Sequence, residues 1–111
     1  VWASARLPEL LLETSPEVGA MIEEQVLGPV LALPDRQRTT LLETLRALLR
    51  HGGSATSAAG ELFCHRNTVM YRSRQLVELT GCDLQEPRGR LLLELAIIAH
   101  DLAVASGRGV A

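Results

Sequence analysis

Arg66, Asn67, Tyr71 and Arg74 are the residues of this 111-residue chain best suited to act on another molecule. Their spacing puts them on one broad side of a helix, because residues three, four and seven apart lie above one another there. Guanidinium, carboxamide and phenol groups in that arrangement recognise phosphates and base edges; they are not a proton-transfer set. His65 and Thr68 belong to the same stretch, His65 as a cap of the helix or a contact to a nucleic-acid backbone. Met70 shares the side and can offer only apolar contact. Each polar group also has an ordinary reading. Arg66 and Asn67 could be an exposed first turn, Arg74 a solvated arginine, and Tyr71 either a phosphate donor or a ring packed beneath Arg74. Arg72 shares a side with Val69 and Leu76, which suits an ion pair with Glu61 or Glu78.

Other pairings carry little chemistry. Cys64 precedes His65 and His100 precedes Asp101, yet neighbours in sequence do not converge on one point, and no carboxylate is spaced to orient either imidazole. Cys64 and Cys82 lack metal-type spacing and read as small apolar residues in a reducing compartment. No Gly-rich phosphate loop or paired carboxylates are present, so neither an enzyme nor a bound cofactor or metal is expected.

The elements that must position the polar face form a helix-turn-helix over about residues 54–80. Ser54 can cap a first helix ending near Leu62, in which Ala58 and Ala59 allow close crossing and Gly60 suggests a further close approach. A tight turn spans Phe63 to His65. The second helix runs from about Arg66 to Thr80, ended by Gly81 in a left-handed position, and Leu62, Cys64, Val69 and Leu76 close the contact between the two. Ahead of them stands a scaffold helix with Asp35 as its cap and Gly52-Gly53 as its stop. Its stripe is Leu41, Leu42, Leu45, Leu48 and Leu49, while Arg36, Thr40, Glu43, Arg46 and Arg50 face away.

The flanks are less regular. Around Pro8, Leu7 and Leu10 to Leu12 read as a short helix or an extended lead-in. Ser15-Pro16-Glu17 starts a helix in which Val18, Met21, Ile22 and Val26 follow helical spacing up to a stop at Gly28-Pro29. Pro87 opens a last helix whose apolar residues wrap more than one face, as in a helix buried on several sides or shared with a partner. Residues after Ala105 read as a frayed tail.

Length bounds the chain to one domain, 1–111, and a composition rich in Leu and Ala but 3% aromatic favours an all-α fold. No apolar run is long enough and free of charge to span a membrane. The net charge of −2 does not itself suggest nucleic acid, but acids crowd the first third while Arg66, Arg72, Arg74, Arg88 and Arg90 lie in the second half. All 11 basic residues are Arg, a bias of GC-rich bacterial genomes, which fits a cytoplasmic bacterial protein.

The stretch His65-Arg66-Asn67-Thr68-Val69-Met70-Tyr71-Arg72, with LLETLRALLRHGG before it and LTGCDLQEPRGRLLLELA after it, resembles the C-terminal DNA-binding domain of PucR/CdaR-type regulators. These are bacterial transcription factors of purine catabolism, sugar-diacid use and related pathways. The resemblance covers nearly the whole chain, and LGPVLALPD also fits. It implies a helical bundle with a Fis-like helix-turn-helix that binds double-stranded DNA, placed behind a sensory region. His65, Arg66, Asn67 and Thr68 would begin the recognition helix, with Tyr71 and Arg74 continuing its exposed side. The chain departs from the pattern at Met70, commonly basic or polar, and at Ser73, commonly a large inward-packing aliphatic.

The resulting expectation is the DNA-binding output domain of a transcriptional regulator. One short helix reads few base pairs, so a homodimer on two half-sites is expected. The chain starts without Met, which suggests a C-terminal fragment of a longer regulator. The rival reading is a helical interaction or oligomerisation module that keeps the fold without binding DNA.

Overall fold

The computed structural model describes residues 6–107, and among these the regular structure is helical throughout, with no strand. The outer parts of the expected N-terminal lead-in and C-terminal tail, residues 1–5 and 108–111, lie outside the described residues.

The first helix, α1 (Leu7–Thr14), has Pro8 in its first turn, so the leucine run around Pro8 is helical. It buries only Leu12 and leaves Leu7, Leu10 and Leu11 exposed. Helix α2 (Pro16–Ile22) follows with Ser15 in the capping position, although the Ser15 hydroxyl accepts no helix amide. The stop expected at Gly28-Pro29 does not occur. The helix widens into a π turn at Glu23–Leu27 and continues as α3 (Gly28–Leu31), with Gly28 in ordinary helical geometry at φ −47° and ψ −49°. A π turn already interrupts the regular ladder, so a proline lacking its N–H is accommodated beside it. Of the apolar residues at helical spacing here, Val18 and Met21 are exposed while Val26 is buried. The inward residue is Gly19, where an added Cβ would sit 4.0 Å from that of Ala99. The small residue lets α2 approach the last helix and turns Val18 and Met21 away.

The scaffold helix α4 (Asp35–Arg50) buries Leu41, Leu42, Leu45 and Leu48 as expected, with Thr44 and Ala47 between them and Leu49 half-buried. Thr44 remains satisfied by donating its hydroxyl to the Thr40 carbonyl at 2.8 Å. Asp35 is the first helical residue rather than the cap. Pro34 takes the cap position, and the Asp35 carboxylate accepts from Arg38 at 2.9 Å. The stop is as expected, with φ of 61° and 90° at Gly52 and Gly53.

Helices α5 (Ala55–Leu62) and α6 (Arg66–Thr80) form the helix-turn-helix, and α7 (Pro87–Ala105) closes the bundle. One core joins Leu27, Val30, Leu45, Leu48, Val69, Leu76, Leu84 and Leu93, all fully buried. Helix α7 buries Leu93, Ala96, Ile97, Ala99, His100 and Ala103, which agrees with burial on several sides. It starts against the 82–86 linker, where Gly89 is required: a Cβ there would lie 2.3 Å from the Asp83 carbonyl oxygen.

Two polar contacts fasten α7 at its far end. His100, 2% exposed, places Nδ1 2.7 Å from a Glu23 carboxylate oxygen. Arg46, expected to face solvent, instead makes a two-point contact with Asp101 at 2.7 and 3.0 Å. Adjacent His100 and Asp101 thus serve different neighbours on different sides of the helix.

Candidate nucleic-acid interface

Local signals build the helix-turn-helix. The Ser54 hydroxyl accepts the Ser57 N–H at 3.2 Å and caps α5 as its sequence position predicts. Ala58 and Ala59 are buried and permit α5 to lie close to its neighbours. Gly60 plays no such part, since a Cβ there would meet nothing within 4 Å. The end of α5 is pinned to the end of α4 by Glu61, whose carboxylate binds Arg50 through two hydrogen bonds and His51 Nε2 at 3.0 Å. Arg50, and then His51, hold that carboxylate down to about 2 from its usual 4.5. Glu61 is therefore engaged away from Arg72, and among the described residues Arg72 forms no ion pair.

The turn departs from common practice. Phe63 ends α5 in the left-handed region at φ 54° and ψ 45°, held by a hydrogen bond from the Cys64 N–H to the Ala59 carbonyl at 3.1 Å. His65 then caps α6: its Nδ1 accepts the Asn67 N–H at 3.0 Å. In this arrangement Nδ1 carries no proton, so the neutral ring holds its proton on Nε2, which is left as a donor. The Thr68 N–H is bonded to the His65 carbonyl at 3.0 Å. The first turn thus uses two of its amides internally, and an anion here would rely on side chains more than on those amides.

Along α6, Val69 and Leu76 are completely buried and set the inner side. Asn67, Tyr71, Arg74 and Glu78 follow at steps of four, three and four, and all four are exposed, Tyr71 by 57%. This row is the outward face, with Arg66 exposed beside it and Met70 half-buried. His65 stands at its N-terminal end. Thr68 is half-buried on the side toward α4, in a groove with Leu33, Gln37, Thr40 and Leu41 whose other wall includes Tyr71 and Glu78 of the row. Of the six expected site residues, five therefore share one surface and Thr68 flanks it. Glu78 extends the row and ends it with an acid. That position follows from helical periodicity, but its side chain is no DNA-binding signal.

Ser73 lines a shallow depression with Leu48, Ala55 and Met70, where a larger aliphatic side chain would have room. Cys82 is buried, and that burial pushes its thiol up, away from reactivity. Among the described residues no group of three His, Cys, Asp or Glu side chains could hold a metal ion, and no helix is long and apolar enough to cross a membrane.

A capped helix, a fixed turn and a second helix with an outward polar row define the helix-turn-helix class. Residues 41–99 match the family described as the PucR C-terminal helix-turn-helix domain, and the chain belongs to that family. An uncharacterized protein of Mycobacterium tuberculosis is 36% identical over 107 residues, covering 91% of this chain and 25% of its own length. The carbohydrate diacid regulator of Escherichia coli is 44% identical over 57 residues, covering 51% of this chain and 15% of its own. The crystal structure of a regulator of polyketide synthase expression from Bifidobacterium adolescentis superposes with a TM-score of 0.69 at 31% identity, over 86% of this chain and 39% of that one. The chain spans about a quarter of the length of the mycobacterial relative. The family assigns it a DNA-binding role in transcription regulation.

Proposed function

We propose that α6 is the recognition helix and enters the major groove of double-stranded DNA. The observation that carries this reading is the outward row Asn67, Tyr71 and Arg74, which stays exposed while Val69 and Leu76 anchor the opposite side. Arg74 and Asn67 reach base edges or phosphates, Arg66 and the His65 Nε2–H hold the phosphates bordering the groove, and Tyr71 donates to a phosphate. Thr68 acts at the margin. Met70 contributes at most apolar contact with a thymine methyl. Helix α5 braces α6 through Ala58 and Ala59. Two copies reading two half-sites would supply specificity, so the working form is a homodimer. Within a longer bacterial regulator this unit would act in the cytoplasm as the output domain, under control of a sensory region.

The test is a fluorescence-anisotropy titration with a random-sequence duplex pool at two salt concentrations, on the chain fused to a dimerising partner. The expected outcome is binding that falls steeply as salt rises, and that is lost in the Arg66→Ala/Arg74→Ala double variant. The groove between α4 and α6, with Leu33, Leu41 and Leu79 in its lining, favours a second reading as a protein-interaction module. Binding there would be insensitive to salt. A folded dimeric fusion that binds no duplex at low salt would overturn the DNA reading.

A further inference from the structure

Phe63 is strained, exposed and without an evident role inside the chain. Among the described residues it is the one non-glycine residue with positive φ. A left-handed residue after a helix is commonly glycine, because a Cβ is unfavourable there. Strain of this kind persists when something else favours the side chain. Packing within the chain does not, because the ring is 96% exposed.

The backbone around Phe63 is fixed. The Cys64 N–H is bonded to the Ala59 carbonyl, and two residues on His65 caps α6. A phenyl ring on a fixed backbone loses little conformational freedom on contact, since only two torsions must be ordered. Its chain neighbours toward α6 are the exposed His65, Arg66 and Asn67. Most other exposed large apolar residues, including Leu7, Leu10, Leu11, Val18 and Met21, lie far off in sequence on α1 and α2. A protein-docking patch would need contiguous apolar surface. A single ring next to donors and a guanidinium suits a nucleic-acid backbone, whose deoxyribose carbons are apolar and whose phosphates are anionic.

We propose that Phe63 is a DNA-contact residue, its ring packing on the deoxyribose of the strand that borders the groove entered by α6. This rests on the DNA-binding reading above and adds to it a contact that is apolar and independent of base sequence.

The experiment compares the wild type, Phe63→Gly, Phe63→Leu and Arg74→Ala, each fused to the same dimerising partner, against a random-sequence pool of duplexes about 30 base pairs long, enough for two half-sites a helical turn apart. Affinity is measured across a series of salt concentrations and folding by thermal melting. Phe63→Gly is expected to melt no lower than the wild type, because glycine fits the left-handed backbone and the ring has no internal packing to lose. Its affinity is expected to fall about tenfold at every salt concentration, the size of losing part of one buried aromatic side chain. Phe63→Leu should fall between the two. The slope of log affinity against log salt is expected to be unchanged in both, since an apolar contact releases no counterion, whereas Arg74→Ala should flatten it by about one.

Phe63→Gly binding within about twofold of the wild type would overturn the proposal and leave the DNA reading standing. Unchanged DNA affinity, together with weakened self-association of the unfused Phe63→Gly chain against the unfused wild type in sedimentation, would assign the ring to a protein contact instead. A folded wild-type fusion that binds no duplex would remove the DNA reading itself, and this contact with it.

Discussion

Helices α6 and α7 are of similar length, 15 and 19 residues, and are used in opposite ways. Helix α7 buries six residues and is fastened by His100 to the π turn and by Asp101 to α4. Helix α6 buries only Val69 and Leu76, and its brace α5 is pinned through exposed ion pairs at Glu61. The difference shows how a small bundle keeps a helix available for a partner. One helix supplies the burial that makes the fold stable, and another is held by a narrow inner stripe so that its opposite side remains free.

Four substitutions test that division. The largest effect is expected at Leu93, fully buried in α7, where Leu93→Ala should cost about 2 to 5 kcal/mol in chemical denaturation. Arg74→Ala on α6, by contrast, should stay within about 0.5 kcal/mol of the wild type. A comparable stability loss for Arg74→Ala would break the comparison. Next is Gly89→Ala. Alanine gains about 1 kcal/mol in helix propensity, but its Cβ would press on the Asp83 carbonyl oxygen at 2.3 Å, and the neighbour is backbone. A net loss of about 1 to 3 kcal/mol is expected, with a lower melting temperature as the readout.

The smallest effect concerns the pin at α5. The Glu61 carboxylate is lowered to about 2 in the folded chain, so it binds fewer protons there than when unfolded. Its stabilising contribution is present above the usual carboxylate range and is lost as pH falls through about 2. The difference in melting temperature between the wild type and Glu61→Gln should therefore be small near neutrality and should vanish as pH is lowered through this window. A constant difference across the window would mean that the pin does not act through charge.

The helix-turn-helix was legible because its signals are local. Ser54 as cap, Gly81 as terminator, Pro87 as a first-turn residue and the leucine stripe of α4 each concern residues within a turn or two of one another. The outward row Asn67, Tyr71 and Arg74 follows from the 3.6-residue period once Val69 and Leu76 are known to point inward. His65 as the cap of α6 is likewise a two-residue relationship. Thr68 came from the resemblance and not from the period; the structure places it in the first turn of α6 and leaves it half-buried on the flank toward α4.

Tertiary structure decided the rest. The passage of α2 through the π turn into α3, despite Gly28-Pro29, and the outward placement of Val18 and Met21 depend on how that segment packs on α7. The partners of Arg46 and His100 stand 55 and 77 residues away, and no periodicity points to them. Gly60, a candidate for close approach, faces open space, while Gly89 is the glycine that a neighbour forbids to change. Phe63 is the sharpest case. Its residue type argues against a left-handed backbone, and only the crossing of α5 and α6 imposes one. Composition and local spacing by themselves determined the helical class, the helix-turn-helix with its caps at Ser54 and His65 and its stop at Gly81, and the polar row. Which sides face inward, and which strained residue is left exposed at the turn, were decided by contacts between helices, because a side chain's environment is set by the element packed against it and not by its neighbours in the chain.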